Sequence, residues 1–451
     1  MRKGQAAGIA IIILAVIMTG CRRSGQDIGM AVKQAGIQEE NGASDIVSKP
    51  TELSFAFADG DETGKAAMMD MVNRFNEQYE DITIRIKPGN GNAYDEILKT
   101  LEIGEFPDIM ETFNAAACVR AGMIAELPED ISTLFANPVS IDGKVYTAPW
   151  TSNNTLGIIY NKKYFESNGL REPKTYEGFM ELCRQIQDLG DMSPLVVGGQ
   201  DLWHIGFWFH KVYSDQVTSI DPDFIMHCYE GSKDFSDPSF KKVLEEMKEN
   251  IKYAQPEWAS TPDAQVASYL VQDRAAMLYS GGHMLSTIQD TNPDFEIGWF
   301  AVPSPDGKLR MTGGASVNGF GISVEAAQDP DKKAAAEEFI RFFFAKENYQ
   351  HYCDALDIIP TTVDAPERQY SEAARRMMEV LASADEVAPM WNNETGNREL
   401  PPDFRNFTYK TLIEVLQGKM DIDSACREIN RMRWGRNENM HRKQSTACWF
   451  L

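Results

Sequence analysis

Two hydrophobic periods alternate along this 451-residue chain, and that alternation limits its fold more than any other feature. Leu53-Ser-Phe-Ala-Phe-Ala58 repeats with a period of two, as a strand with one covered face does. A polar loop, Asp59-Gly-Asp-Glu-Thr-Gly64, follows, and then Met68, Met71, Val72, Phe75 and Tyr79 mark one face of a helix. Ile82, Ile84 and Ile86 return to the period of two, a helix is expected over 92–103, and Ile109-Met110 reads as a short strand. Strand, helix, strand in this order calls for right-handed crossovers, so the fold class is α/β, with mostly parallel sheets flanked by helices.

The pattern recurs downstream. Gly157-Ile-Ile-Tyr160 and Leu195-Val-Val197 read as strands, with a helical stripe of Phe179, Leu182, Cys183 and Ile186 between them. Phe240, Val243, Leu244, Met247 and Ile251 form another helical face, and Phe295 to Val302 reads as a strand ending at Pro303. Gly319 to Ser323 leads into a helix through Ala335, Phe339 and Phe342-Phe343, and the block from Tyr370 to Trp434 reads as helical. No repeat recurs, which argues against a solenoid or propeller. At least two lobes are expected.

The first residues read differently. Met1-Arg2-Lys3 is basic, Ile9 to Met18 is an apolar run too short to span a bilayer, and small residues precede Cys21. Residues 1–20 are therefore read as an export signal. The stretch 21–50 is rich in Gly, Ser, Gln and acidic residues and reads as a flexible tether. The whole chain carries 67 acidic against 44 basic residues, a net charge of −23, which argues against nucleic acid and against an anionic membrane surface.

Catalytic and metal signatures are thin. The six histidines (204, 210, 227, 283, 351 and 441) form no HExxH pair, there is no GxSxG elbow, and no metal or cofactor is expected. Apart from Cys21, the six cysteines (118, 183, 228, 353, 426 and 448) lack CxxC spacing, and any disulfide pairing stays open. Cys183, on an apolar stripe, reads as a buried free thiol. The tryptophans say more. Trp150 with Asn153 and Asn154, Asp201 with Trp203, and Trp391 with Asn392-Asn393 each set a ring face beside carboxylate or amide groups at apparent loop or strand ends. A sugar fits such a pairing, because its C–H face stacks while its hydroxyls need polar partners. Trp299, inside a strand, reads as core.

Gly104-Glu-Phe-Pro107-Asp108-Ile109, Ala121-Gly122 to Leu127-Pro128, Asp142-Gly143-Lys144-Val-Tyr146-Thr-Ala-Pro149 and Ile159-Tyr160-Asn161-Lys162-Lys163 occur in this order. Arg274-Ala-Ala-Met277, Gly313-Gly314, Gly319 to Ser323 and Ile359-Pro360-Thr361 follow. The chain from about 51 to 434 resembles the extracellular solute-binding lipoproteins of ABC transporters, family 1, the sugar-binding group that includes the maltose-binding protein. Met18-Thr19-Gly20-Cys21 resembles that group's lipoprotein signal, which implies a lipid on Cys21 and a place on the outer face of the cell membrane.

The resemblance implies a periplasmic-binding-protein-like fold: lobe one from 51–152 and 316–361, lobe two from 153–315 and 362–434, a hinge where the chain crosses, and an atypical tail at 435–451. It implies a monomer that binds a carbohydrate and hands it to permease subunits, without catalysis. By motif position, Asp59, Asp61, Glu111, Phe113 and Asn114 would line lobe one, and Trp150, Asn153 and Asn154 the first crossing. Asp201, Trp203, His283 and Trp391 would face them. Ser280-Gly281-Gly282-His283-Met284 departs from the family's Gly-x-Trp, so His283 stands where a stacking ring is usual. Two other readings stay open: the same fold binding a cation such as a polyamine, and an exported glycosidase using two of these carboxylates.

Overall fold

The computed structural model describes residues 46–57, 62–87, 106–112, 115–150, 155–313, 319–356, 358–365, 367, 369–391, 394, 398 and 400–432. The leader, Cys21, the tether up to 45, the helix expected at 92–103 and the tail 435–451 lie outside them, as do Asp59, Asp61, Phe113, Asn114, Asn153 and Asn154.

The strands are β1 (Thr51–Ala56), β2 (Ile82–Ile86), β3 (Ile109–Glu111), β4 (Leu156–Asn161), β5 (Ser193–Val196), β6 (Ala275–Gly281), β7 (Ile297–Phe300), β8 (Arg310–Thr312), β9 (Phe320–Ile322) and β10 (Glu386–Ala388). They form two four-stranded sheets, ordered β2-β1-β3-β9 and β5-β6-β4-β7, and a two-stranded pair, β10-β8. In the first sheet β1 is parallel to β2 and β3, while β9 runs against β3. In the second, β5 and β6 are parallel and β4 runs against both β6 and β7. Each sheet thus has three strands in one direction and one reversed.

The reversed strands are the two that the chain enters straight after a crossing, β4 after 151–154 and β9 after 314–318. A chain arriving at the carboxyl edge of a sheet can only run back through it. In the first sheet the reversed strand sits at the edge. In the second it lies in the middle, so the hydrogen-bonded pairs there are more antiparallel than the sequence pattern suggests.

Helices cover both sheets as the sequence stripes require. In α1 (Glu62–Gln78), Met68, Met71, Val72 and Phe75 are buried against Phe339 and Phe342 of a later helix, with the Phe75 ring 5.2 Å from each. In α2 (Tyr176–Leu189), the Thr175 hydroxyl accepts from the Gly178 N–H at 3.0 Å, and Gly190, at φ +73°, ends the helix. Its stripe of Phe179, Leu182, Cys183 and Ile186 is buried, and Cys183 is a free thiol. Next in this lobe is α3 (Leu202–Tyr213), apolar on nearly every side and buried over most of its length.

The core around the first sheet draws on residues between Leu53 and Ala148 and between Phe320 and Ile358. That around the second draws on residues between Leu156 and Met311 and between Ala373 and Ile429. The block read as helical from 370 onward contains one strand, β10, which pairs with β8 and passes the chain back beside the second crossing.

A buried charged network fixes β8 to α3. Lys211 donates to Asp215 at 2.7 Å and to Ser304 at 2.9 Å, and Ser304 donates to the other Asp215 oxygen at 2.7 Å. Burial drives the Asp215 carboxyl up and the Lys211 ammonium down, each opposed by its partner. Arg310, at the start of β8, donates to Asp306 and to Glu386 of β10. Lys211 and Asp215 share a face because they are four residues apart, and the turn that carries Asp215, Ser214–Thr218, is π-helical.

Candidate functional site

Ligands of open α/β sheets bind beyond the carboxyl ends of the strands. Here those ends carry the loops after β1, β3, β5 and β6, together with both crossings. The two sheets meet through them. Ala148 bridges to Phe320 at the start of β9, and the chain then reaches β4 within a few residues.

On the first sheet's side, Glu111 ends β3 directly opposite Phe320 of β9. The Trp150 ring stacks on Phe320 with centroids 4.8 Å apart and planes 24° from parallel. The Tyr349 hydroxyl donates to the Trp150 carbonyl at 2.7 Å, and Thr361 donates to the Pro149 carbonyl at 2.6 Å. The ring is therefore held on a fixed backbone. Glu111, Phe320 and Trp150 form one contiguous group, half-buried at Glu111 and Trp150.

On the second sheet's side, the turn after β5 sets the geometry. A Cβ at Gly199 would lie 2.6 Å from the Trp258 carbonyl oxygen and 2.5 Å from its ring, so only glycine lets the turn pass that close. Asp201 then precedes α3. Its carboxylate accepts from the Asp263 N–H at 2.8 Å, and the Asp263 carboxylate pairs with His204 Nδ1 at 2.6 Å. His204 is fully buried, so this chain of contacts anchors the first turn of α3. Asp201, read from sequence as a solute contact, spends one of its oxygens on this anchor.

Trp203 extends from that anchored turn and is 45% exposed. Its ring meets Phe207 edge-on at 5.3 Å and lies 6.4 Å from His283, which opens α4 (His283–Thr291); Phe207 and His283 are 6.2 Å apart. Sequence reading placed Trp203 at a loop or strand end, whereas the structure puts it in a helix. It also missed Phe207, whose signal was its i+4 spacing from Trp203 on one helix face.

Trp391 is placed differently from its expected role. It is 3% exposed, its backbone N–H donates to His210 Nε2 at 3.1 Å, and its ring sits edge-on to Phe209 at 4.7 Å. The Tyr409 ring lies nearly parallel to it. Its ring face is taken up by the aromatic core of the second lobe, because α3 brings aromatics up to it from beneath. His210 is held neutral there, burial driving it down to about 3. Thr63, in the first turn of α1, donates to the Asp290 carboxylate near the end of α4, tying the two lobes at one rim.

Among the described residues, no cluster of His, Cys, Asp and Glu could hold a metal ion, and no helix is long and apolar enough to cross a membrane. The arrangement is two half-buried aromatic groups with adjacent carboxylates, one on each lobe, at the edges where the chain crosses.

The chain is 24% identical over 369 residues to the multiple sugar-binding protein of Streptococcus mutans, covering 77% of this chain and 84% of that one. It is 22% identical over 333 residues to the diacetylchitobiose binding protein DasA of Streptomyces coelicolor, covering 71% and 74%. In three dimensions it matches a chitin oligosaccharide binding protein with a TM-score of 0.74 at 20% identity, over 84% of this chain and 97% of that one. Residues 70–379 match the family described as bacterial extracellular solute-binding protein, and this two-lobed chain belongs to that family.

Proposed function

We propose that this protein is a lipid-anchored binding subunit of an ABC importer that encloses a carbohydrate, most simply an oligosaccharide, between its lobes and delivers it to permease subunits. The observation that carries the reading is the ring group of Trp203, Phe207 and His283 on one lobe, with Trp150 beside Glu111 on the other. Rings offer stacking faces to a pyranose, and carboxylates accept from its hydroxyls. The relatives, a multiple sugar-binding protein and a diacetylchitobiose binding protein, support the same solute class.

In this reading lobe one comprises 51–152 and 316–361, and lobe two 153–315 and 362–434. Solute favours the closed arrangement because only there do both walls touch it. Asp59, Asp61, Phe113, Asn114, Asn153 and Asn154 lie outside the described residues and are carried forward as further contacts. The protein works as a monomer, holds no cofactor and makes or breaks no bond. A lipid on Cys21 keeps it at the outer face of the membrane while the tether holds its acidic body away.

Calorimetric titration of the purified protein with chito-, malto-, xylo- and raffinose-type oligosaccharides tests the solute. Heat with one of these at micromolar concentration is the expected result. Silence across the panel with tight binding of spermidine would replace the sugar by a cation. Release of a Cys21→Ala variant into the medium tests the anchor, and retention of that variant on the cell would refute it.

A further inference from the structure

Three buried polar groups without partners share one face of the second sheet, directly beneath the first crossing. Thr155 and Ser280 are fully buried and Trp299 is 1% exposed, and Thr155 Oγ1, Ser280 Oγ and Trp299 Nε1 each lack a hydrogen-bond partner within the protein. Strand register places them together. Gly157 of β4 is opposite Ser280 of β6, and Ile159 is opposite Trp299 of β7. Residues 155, 157 and 159 share a face by the period of two, and Ser280 and Trp299 point to that face from either side.

Gly157 is what allows it. A Cβ there would lie 2.3 Å from Trp299 Cζ2 and 2.9 Å from Nε1, so the indole lies flat across the strand with its N–H over the glycine. Directly opposed Cβ positions in an antiparallel pair are about 5 Å apart. The Ser280 side chain therefore rises on one side of Gly157 while the indole N–H lies over the glycine, and the two groups make no direct hydrogen bond with each other.

We propose that Ser280, Trp299 and Thr155 form a buried site for one water molecule, which joins β4, β6 and β7 at the foot of the first crossing. The chemistry selects water. The indole can only donate, while each hydroxyl can donate or accept, so a water that accepts from Trp299 and donates to Ser280 and Thr155 satisfies all three. Leaving them unpaired would cost free energy at each. Their neighbours on this face, Ile159 and Leu278, are apolar, and a bare ion enclosed there would lose its hydration without a counter-charge. The site fixes the strand ends that hold Thr155, where the chain arrives from the other lobe, and Ser280, three residues before His283.

The test reads a sign. With a bound water, Ser280→Ala and Thr155→Val each break a hydrogen bond, and each lowers the melting temperature by roughly 2–4 °C. A dry site predicts the opposite, because each substitution would then remove an unsatisfied hydroxyl and raise it. A rise in both variants overturns the proposal. In the wild-type protein, the Trp299 indole proton is expected to show a nuclear Overhauser contact with long-lived water; its absence overturns the proposal even if a variant fails to fold. A melting temperature that follows chloride concentration in wild type but not in Ser280→Ala would assign the site to an anion instead, and also overturns it.

Discussion

Replacing Trp203 by alanine isolates the stacking surface from the fold, because the ring is anchored at its base and open at its face. An aromatic side chain covers on the order of 200 Å² when fully buried. With 45% of Trp203 exposed, about 100 Å² remains for a solute to cover. At ~25 cal/mol per Å² that area contributes roughly 2 kcal/mol to binding, so Trp203→Ala should weaken the best glycan by about ten- to a hundredfold. The variant should fold normally: the contacts it loses are ring contacts with Phe207, His283 and His204, while the hydrogen bonds of the Asp201–Asp263–His204 anchor stay intact. Isothermal titration gives the affinity and a thermal melt the control. Wild-type affinity with an unchanged melt would remove Trp203 from the solute site and with it the geometric basis for a sugar. A large fall in melting temperature would show that the ring is structural and that the exposed area was misjudged.

Other consequences can be measured separately. Lys211→Met should destabilise the protein by about 3–5 kcal/mol in urea unfolding, because Asp215 would be left buried beside Ser304 without its ammonium, whereas Lys211→Met with Asp215→Leu should recover much of that loss. Asp263→Ala should cost roughly 1–3 kcal/mol of stability and also weaken solute binding, since buried His204 loses its partner and the turn carrying Trp203 loses its anchor. Burial pushes Glu246 up to about 7 in the folded protein, well above its ordinary value. The folded state then holds a proton that the unfolded chain has lost between about pH 4.5 and 7, so this group's contribution falls as pH rises through that window. Glu246→Gln should therefore gain stability relative to wild type at pH 8 and gain little at pH 5, as read by melting temperature against pH; an equal gain at both would refute the assignment.

The sequence was most legible where one periodicity ruled without competition. The stripes Met68-Met71-Val72-Phe75 and Phe179-Leu182-Cys183-Ile186 are buried as a 3.6-residue repeat requires. The alternating isoleucines of β2 sit in the first sheet in the expected place. The same reading failed at α3, because Leu-Trp-His-Ile-Gly-Phe-Trp-Phe-His-Lys-Val-Tyr is apolar on nearly every side and offers no stripe to read. It also missed β10, three residues whose strand state depends on pairing with β8, more than seventy positions earlier. Local propensity cannot report a partner that distant.

The candidate site divides along the same physical line. A residue type can announce what chemistry is possible, but burial decides whether it is available, and burial is a property of the assembled fold. Trp203 and Trp391 have the same ring and similar polar neighbours in sequence, yet one is 45% exposed and the other 3%. The difference comes from α3. Its first turn is pulled out to the sheet edge by the Asp201–Asp263–His204 contacts, and its later turns carry Phe209 and Tyr213 inward, where they enclose Trp391. One helix thus leaves a ring exposed at its amino end and buries another against its middle. The anchor at Asp263 is therefore the sharper test of this assignment. If Asp263→Ala lowers affinity and Asp263→Asn, which can still accept from His204, restores most of it at equal stability, then Trp203 binds solute because the anchor places it there, and its exposure is a designed feature of the site. If the two variants bind alike, the ring finds its place without the anchor and the link from Asp201 to the solute wall is broken.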